Sequence, residues 1–345
     1  MDKIELNSLG LDELRSYMVS IGEKAFRGEQ VFSFFNSRMG LNLDELQVLP
    51  LKLREDLKEN VKVNEIRLLK RFDSKVDHTK KFLFLLEDNN IIESVLMEYS
   101  HGLTVCISTQ VGCSMGCSFC ASTKEGRIRN LTPSEMLNQI YFIEKNIGKS
   151  ISNIVLMGSG EPLDNYDHTM KFLNIIHDTK GHNISYRNIT LSTCGIVPRI
   201  YDLAKENIPI TLSISLHSPF DDVRTEMMPI GKKYKIKDII EGCKFYEKTT
   251  NRRLTFEYTL IEGVNDRKED VDELRRILKG TNSHINLIPL NPIKEYKKDR
   301  PSLSSIERFQ KQLTKYNIQV TIRKEKGMDI SASCGQLRRD YLSNE

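Results

Sequence analysis

The sequence predicts an α/β protein, an incomplete (β/α)6 barrel preceded by a small helical accessory domain. Three observations predict it. Seven short β-prone runs (LTVCIST, NIVLM, NITLS, ITLSISL, LTFEYTL, INLIPL and IQVTI) alternate with amphipathic stretches such as PSEMLNQIYFIEKNI and SIERFQKQLTKY. That alternation is the signature of parallel βα units, about six of them here. The first ~60 residues instead repeat apolar positions at helical spacing. Finally, the chemically unusual residues fall at the C-terminal ends of the β-runs, where parallel α/β folds bind ligands. A doubly wound open sheet would show the same alternation and stays open as the alternative.

The elements follow in order. Residues 1–65 form the accessory domain, with Leu11, Leu14 and Met18 on one helical face and Val31, Phe34 and Phe35 on another. Asn42 is placed to cap a short helical turn reaching about Val48, and Pro50 breaks the pattern. Residues 66–98 read as a β-hairpin linker, KKFLFLLED and NNIIESVLM joined at Asp88-Asn89-Asn90. Residues 99–345 form the barrel and end in a loop around Cys334.

With 345 residues and 39% hydrophobic content, the chain can bury one large core and a small one. A formal charge of +4 is compatible with a nucleic-acid partner without requiring one. No stretch is long and apolar enough to span a bilayer. The start, MDKIELNSLGLDEL, is acidic where a secretion signal is basic and then apolar. The expectation is a cytoplasmic protein with no membrane partner. Seven cysteines in such a chain argue against a disulfide framework and for a metal site, redox chemistry or buried thiols.

Cys113, Cys117 and Cys120 lie in QVGCSMGCSFCAS, directly after the first barrel strand. Three thiolates can hold three irons of a [4Fe–4S] cluster and leave the fourth iron open to a small molecule. Gly112 and Gly116 let the backbone wrap closely. The competing reading is zinc, which usually takes four ligands, often as two separated pairs. No second pair is present, and the nearest preceding histidine is His101. Inert thiols are the bland alternative.

Other strand ends carry polar residues. Gly158, Gly160, Glu161 and Pro162 end the second strand, and Glu161 could accept hydrogen bonds from an ammonium group or sit in an ordinary turn. Ser192-Thr193, Ser215-Leu216-His217 and Asn291-Pro292 end later strands and are either site residues or helix caps. Cys334 lies between Gly327 and Gly335, as a used thiol on a mobile loop or as a buried one in the last strand. By position alone Cys106 reads as a small core residue, Glu93 as a surface strand charge, and Cys194 and Cys243 as structural thiols.

The three-cysteine loop, with Phe119 before its last cysteine, resembles the radical S-adenosylmethionine superfamily signature. Together with GSGEP, SLHSP, MMPI, NLIPLNP and DISASCGQL it resembles, from the N-terminal helices to Tyr341, the dual-specificity RNA methyltransferases acting on C2 of adenine in 23S rRNA and tRNA. The resemblance implies a radical S-adenosylmethionine barrel and a [4Fe–4S] cluster on Cys113, Cys117 and Cys120. It implies S-adenosyl-L-methionine, two per turnover, held by Gly160, Glu161, Ser192, Ser215, Leu216, His217 and Asn291. Cys334 would carry the methyl group, and the 5′-deoxyadenosyl radical would convert it to a methylene radical that adds to C2. Cys106 would resolve the protein–RNA adduct, leaving a transient disulfide with Cys334, and Glu93 would accept a proton. An electron donor of the flavodoxin or ferredoxin type and a monomeric enzyme are expected.

Radical addition suits this target, because C2 of adenine is electron-poor and unsuited to ordinary attack on a methylsulfonium. A thiol near its pKa would suit the resolving step. Ser159, Ser331 and Ser333 depart from residues common in the family, at no proposed contact. A subgroup methylating C8 has Ala after the Gly-Glu pair, where this chain has Pro162, which favours C2. A non-catalytic iron–sulfur RNA-binding protein is the reading from another class, and it has no use for Cys334. Lys294, Lys297, Lys298, Arg300, Arg323, Lys324, Lys326, Arg338 and Arg339, with Lys124, Arg127 and Arg129 near the cluster loop, are candidate phosphate contacts.

Overall fold

The computed structural model describes residues 3–291 and 293–337. Pro292, Arg338, Arg339 and Tyr341 therefore lie outside the described residues. The N-terminal unit holds α1 (Leu11–Ser20), α2 (Phe26–Asn36) and α3 (Leu51–Asn60), tied off where β1 (Ile4–Glu5) pairs in parallel with β2 (Val61–Lys62). Leu14 and Met18 of α1, and Val31, Phe34 and Phe35 of α2, are buried. Asn42 caps a turn by accepting from Asp44 N at 2.9 Å, but the turn is 3-10 and ends at Glu45. Pro50 stands at the start of α3, where no helical hydrogen bond needs its missing N–H.

The segment expected as a hairpin linker belongs to the main sheet. Strands β3 (Arg67–Asp73), β4 (Lys80–Leu85) and β5 (Ile91–Tyr99) run antiparallel, and β5 pairs with β6 (Gly102–Cys106), the first barrel strand. A short ribbon follows, β7 (Gln110–Gly112) with β8 (Arg127–Asn130). Then come β9 (Asn153–Leu156), β10 (Ile189–Thr193), β11 (Thr211–Ser215), β12 (Leu254–Leu260), β13 (Ser283–Pro289) and β14 (Gln319–Ile322). Between them lie α4 (Pro133–Ile147), α5 (Tyr166–His177), α6 (Val197–Lys205), α7 (Asp221–Met227), α8 (Ile236–Thr250), α9 (Lys268–Ile277) and α10 (Leu303–Lys315).

Strands β6 and β9 to β14 are parallel and lie side by side in chain order. A doubly wound sheet needs a reversal of strand order, and none occurs. The sheet ends at β14 on one side and β3 on the other, so the barrel is incomplete.

Register sorts the strands into two unlike faces. Val105, Ile154, Leu191, Ile214, Phe256, Ile285 and Val320 share one face and join the main apolar cluster with Leu137 and Ile140 of α4 and Phe309 of α10. Each such buried side chain contributes about 1.5–3 kcal/mol. The opposite face is largely polar. On it Ser215, Glu257, Asn286 and Thr321 are successive cross-strand neighbours. Ser213 Oγ and Asn286 Nδ2 donate to Glu257 at 2.8 and 2.9 Å, and Thr321 Oγ1 donates to Asn286 Oδ1 at 3.2 Å. The runs alternate because only one face holds the core.

Candidate active site

The ribbon of β7 and β8 closes the base of the cysteine loop, where Cys113 N donates to Gly126 O at 3.2 Å. Gly112 has φ +72°, and a Cβ there would lie 2.0 Å from Gly126 O, so the closure requires glycine. Ser118 N donates to Met227 O at 2.9 Å, which ties the loop to α7. Cys113 is buried, and Cys117 and Cys120 are half-buried. Met227, Met228, Ile261 and Leu290 form an apolar shell around Met115, Cys117 and Phe119.

The three thiols line one cavity of about 160 Å³ at the C-terminal ends of the parallel strands. Burial pushes Cys113 up to about 12 and raises Cys117 and Cys120, so these thiols keep their protons unless a cation displaces them. Three thiols on the wall of one cavity are the donor set of a multi-iron group with one open iron. Arg224 reinforces this fit. It is fully buried behind the cavity wall, and its charge favours the thiolate of Cys117, the form that binds iron.

The strand ends supply the other walls. Gly160 and Glu161 line the cavity beside the cysteines. A Cβ on Gly160, at φ +110°, would lie 2.7 Å from Gln110 N. Buried Glu161 accepts from Cys194 N at 2.7 Å and Leu163 N at 3.0 Å, while burial raises its pKa. Ser192, Ser215, His217 and Asn291 line the same cavity. His217 Nδ1 accepts from Thr259 N at 2.9 Å, which leaves the ring proton on Nε2. Burial, and second the Arg224 charge, pushes His217 down to about 3, so it is neutral. Phe119 packs edge-on against its ring at 4.9 Å. Leu216 is the exception. Its side chain is fully buried in the main core and lines neither cavity.

Cys334 lines this cavity and also a second one of about 30 Å³, where Cys106, Val95, Met97 and Leu337 are found. Its loop was expected to be mobile, yet it is tied down along its length. Gly327 N donates to Asp77 Oδ2 at 3.0 Å, and Asp329 accepts from Ser74 Oγ at 2.7 Å and Lys75 N at 2.8 Å. Asn291 Nδ2 donates to Cys334 O at 2.9 Å, Ala121 N to Gly335 O at 2.7 Å, and Ser122 Oγ to Leu337 O at 2.9 Å. Cys334 is half-buried. Every cysteine is a free thiol.

Cys106 ends β6 on the inner face, paired with Val95. It is no thiol near its ordinary pKa, since burial, then the nearby Cys334, pushes it up to about 12. Glu93 is buried on β5 rather than a surface charge, and it lies 3.4 Å from Lys81 Nζ, outside the lining of both cavities. Lys81 also donates to Ser331 O at 3.3 Å, in the Cys334 loop. Cys243 is buried in the main core, whereas Cys194, expected to be merely structural, is buried in the apolar shell and lines the first cavity.

Sequence reasoning missed Glu257 and Thr259, which line the first cavity from inside β12. Their only signal was a polar residue at every second position of LTFEYTL. It also read Arg323 as a phosphate contact, whereas Arg323 lines both cavities. Arg127 pairs with Asp164 at 2.6 Å, Arg129 with Asp88 and Glu135 at 2.6 and 2.7 Å, and Arg300 with Glu325. These three cations already have carboxylate partners.

The chain matches known families along most of its length. Residues 4–63 match the ribosomal RNA large subunit methyltransferase N-terminal domain, and residues 107–276 match the radical SAM superfamily. A relative from Alkaliphilus oremlandii named "Probable dual-specificity RNA methyltransferase RlmN" is 52% identical over 100% of both chains. One of the same name from Clostridium novyi is 50% identical over 97% of each. The crystal structure of a radical SAM methyltransferase from Sphaerobacter thermophilus superposes with a TM-score of 0.92 at 41% identity, covering 97% of this chain and 99% of that one. Full-length identity at this level, on a barrel with three cysteines at its mouth, shows that the chain belongs to the dual-specificity RNA methyltransferase family RlmN of the radical SAM superfamily.

Proposed function

We propose that this enzyme methylates C2 of adenine in 23S rRNA and tRNA, with Cys334 carrying the methyl group. The supporting observation is that Cys334 lines two cavities at once, one walled by the three clustered thiols and one holding Cys106. A carrier must meet the methyl donor on one side and its acceptor on the other. Pro162 after the Gly-Glu pair favours C2 over C8.

When bound, the [4Fe–4S] cluster and two molecules of S-adenosylmethionine per turnover supply the methyl group and the 5′-deoxyadenosyl radical. Cys113, Cys117 and Cys120 would hold the cluster as thiolates. Glu161 offers its carboxylate to an ammonium group, Ser192 and Ser215 offer hydroxyls to a ribose, and His217 Nε2–H offers a donor to a base. Leu216 acts indirectly, by anchoring Ser215 and His217 in the core. Cys106, fixed on its strand, suits the resolving step, and Glu93 the acceptance of a proton.

We read the enzyme as a monomer. No helix among the described residues is long and apolar enough to cross a membrane. A cytoplasmic enzyme fed electrons by a flavodoxin- or ferredoxin-type donor completes the reading. The test is anaerobic turnover on rRNA and tRNA followed by nucleoside mass spectrometry. 2-Methyladenosine is expected from both RNAs, and 8-methyladenosine or no methylated adenosine overturns the reading.

A further inference from the structure

We propose that Arg323 is a further catalytic residue, donating a hydrogen bond to a ring nitrogen beside C2 of the target adenine as the methylene on Cys334 adds there. The proposal rests on the reading of Cys334 as the methyl carrier.

Placement comes from register. Arg323 is the first residue past β14, and its N–H donates to Leu287 O at 2.8 Å, which extends the β13–β14 ladder. Ile322 pairs with Leu287 on the apolar face, so Arg323 falls on the polar inner face, above Thr321. There it lines both cavities that Cys334 lines. Its Nη1 donates to Met157 Sδ at 3.7 Å, a weak partner for a guanidinium. Among the described residues, no carboxylate lies within ion-pair distance of it. Glu257, one layer below, is occupied by Ser213 and Asn286. A guanidinium carries five donors, and Arg323 is half-buried at the cavity wall with only this weak side-chain partner among the described residues, so donors are left facing whatever enters the cavity. The acceptor that Arg323 lacks is one the substrate brings.

Adenine C2 is bonded to N1 and N3, and both are hydrogen-bond acceptors. A carbon radical on the Cys334 sulfur that reaches C2 brings these nitrogens into the cavity space that Cys334 and Arg323 line together. When the methylene carbon bonds to C2, the unpaired electron passes into the ring and density builds on the neighbouring nitrogens. No proton or electron leaves in that step, and Arg323 keeps all its protons. A cationic donor at that nitrogen draws density from C2 and stabilises the adduct, as a preorganised donor does for a developing oxyanion.

The test uses the full-length, cluster-loaded enzyme in a Cys106→Ala background, where the covalent protein–RNA adduct accumulates. Arg323→Gln and Arg323→Lys are added to it. Intact mass reports methyl on Cys334, and denaturing gels report adduct formation on RNA bearing adenosine, 1-deazaadenosine or 3-deazaadenosine at the target. With Arg323→Gln, Cys334 should be methylated as in the parent while adduct formation slows by about 10²-fold. Arg323→Lys should recover part of the rate. One deaza analogue should slow the Arg323 parent and have no further effect on the Arg323→Gln variant. Parental adduct rates in Arg323→Gln overturn the proposal. So does loss of Cys334 methylation in both Arg323 variants, which would assign Arg323 to S-adenosylmethionine. Absence of adduct from the Arg323 parent overturns the Cys334 reading itself, and this proposal with it.

Discussion

Asn291 tethers the backbone of Cys334, its Nδ2 donating to the cysteine's carbonyl oxygen at 2.9 Å. The same side chain lines both cavities. A strand-end residue expected on the cofactor therefore also holds the backbone of the cysteine proposed as methyl carrier. Losing one such hydrogen bond costs about 1 kcal/mol, roughly a five-fold effect on an equilibrium. Asn291→Ala should slow methylation of Cys334 by about that factor or more, and Asn291→Asp, which lacks the donor, should do the same. If both variants weaken S-adenosylmethionine binding yet methylate Cys334 at the normal rate once saturated, the tether has no role in catalysis.

The thiols of Cys113, Cys117 and Cys120 should bind a four-iron cluster. Anaerobic reconstitution should yield about four irons per chain, and replacing any one of the three with Ser should lower that content sharply. One tightly bound zinc per chain and no iron would refute the assignment.

Cys106 and Cys334 should separate into two functions. Cys334→Ala should abolish both self-methylation and RNA methylation. Cys106→Ala should retain the methyl on Cys334 and accumulate the adduct, because addition precedes resolution. Burial pushes Cys106 up to about 12, so near neutral pH its reactive thiolate is scarce and grows about ten-fold per pH unit. Decay of the adduct in the unmutated enzyme should therefore accelerate as pH rises from about 7 to 9, with a log–log slope near one. A flat profile in single-turnover experiments would show that thiolate formation at Cys106 does not limit resolution.

Asp329 clamps the Cys334 loop to the β3–β4 turn through Ser74 and Lys75. It is exposed, so Asp329→Ala should leave global stability nearly unchanged. Proteolysis or hydrogen exchange at residues 327–337 should nevertheless increase, and Cys334 methylation should slow. Unchanged exchange in that loop would remove the clamp from the account.

The seven barrel strands were legible because short β-prone runs alternate along the chain with amphipathic helical stretches, and within a run such as LTFEYTL the residue-by-residue alternation appears in the structure as two faces. What could not be read was which face is which. Glu257 and Thr259 escaped notice because a polar residue within a strand ordinarily faces solvent, and only closure of the sheet turns that face inward. Arg323 was grouped with surface cations for the same reason, since charge along a chain carries no register. Leu216, between two polar neighbours in SLHSP, points the other way by the two-residue period that governs every strand. The tie between residues 66–98 and the Cys334 loop spans roughly 250 positions, and no local pattern reports a contact at that separation.

The polar lining of the sheet has a consequence for how this protein could be remodelled. Its stability comes from the layer between strands and helices, and little of it from the space those strands enclose. Side chains facing inward, apart from the hydrogen-bonded set of Ser213, Glu257 and Asn286, are therefore freer to vary in shape and charge. An enzyme built this way can be given a different guest molecule by exchanging a few inward positions, while the outer shell goes on folding as before.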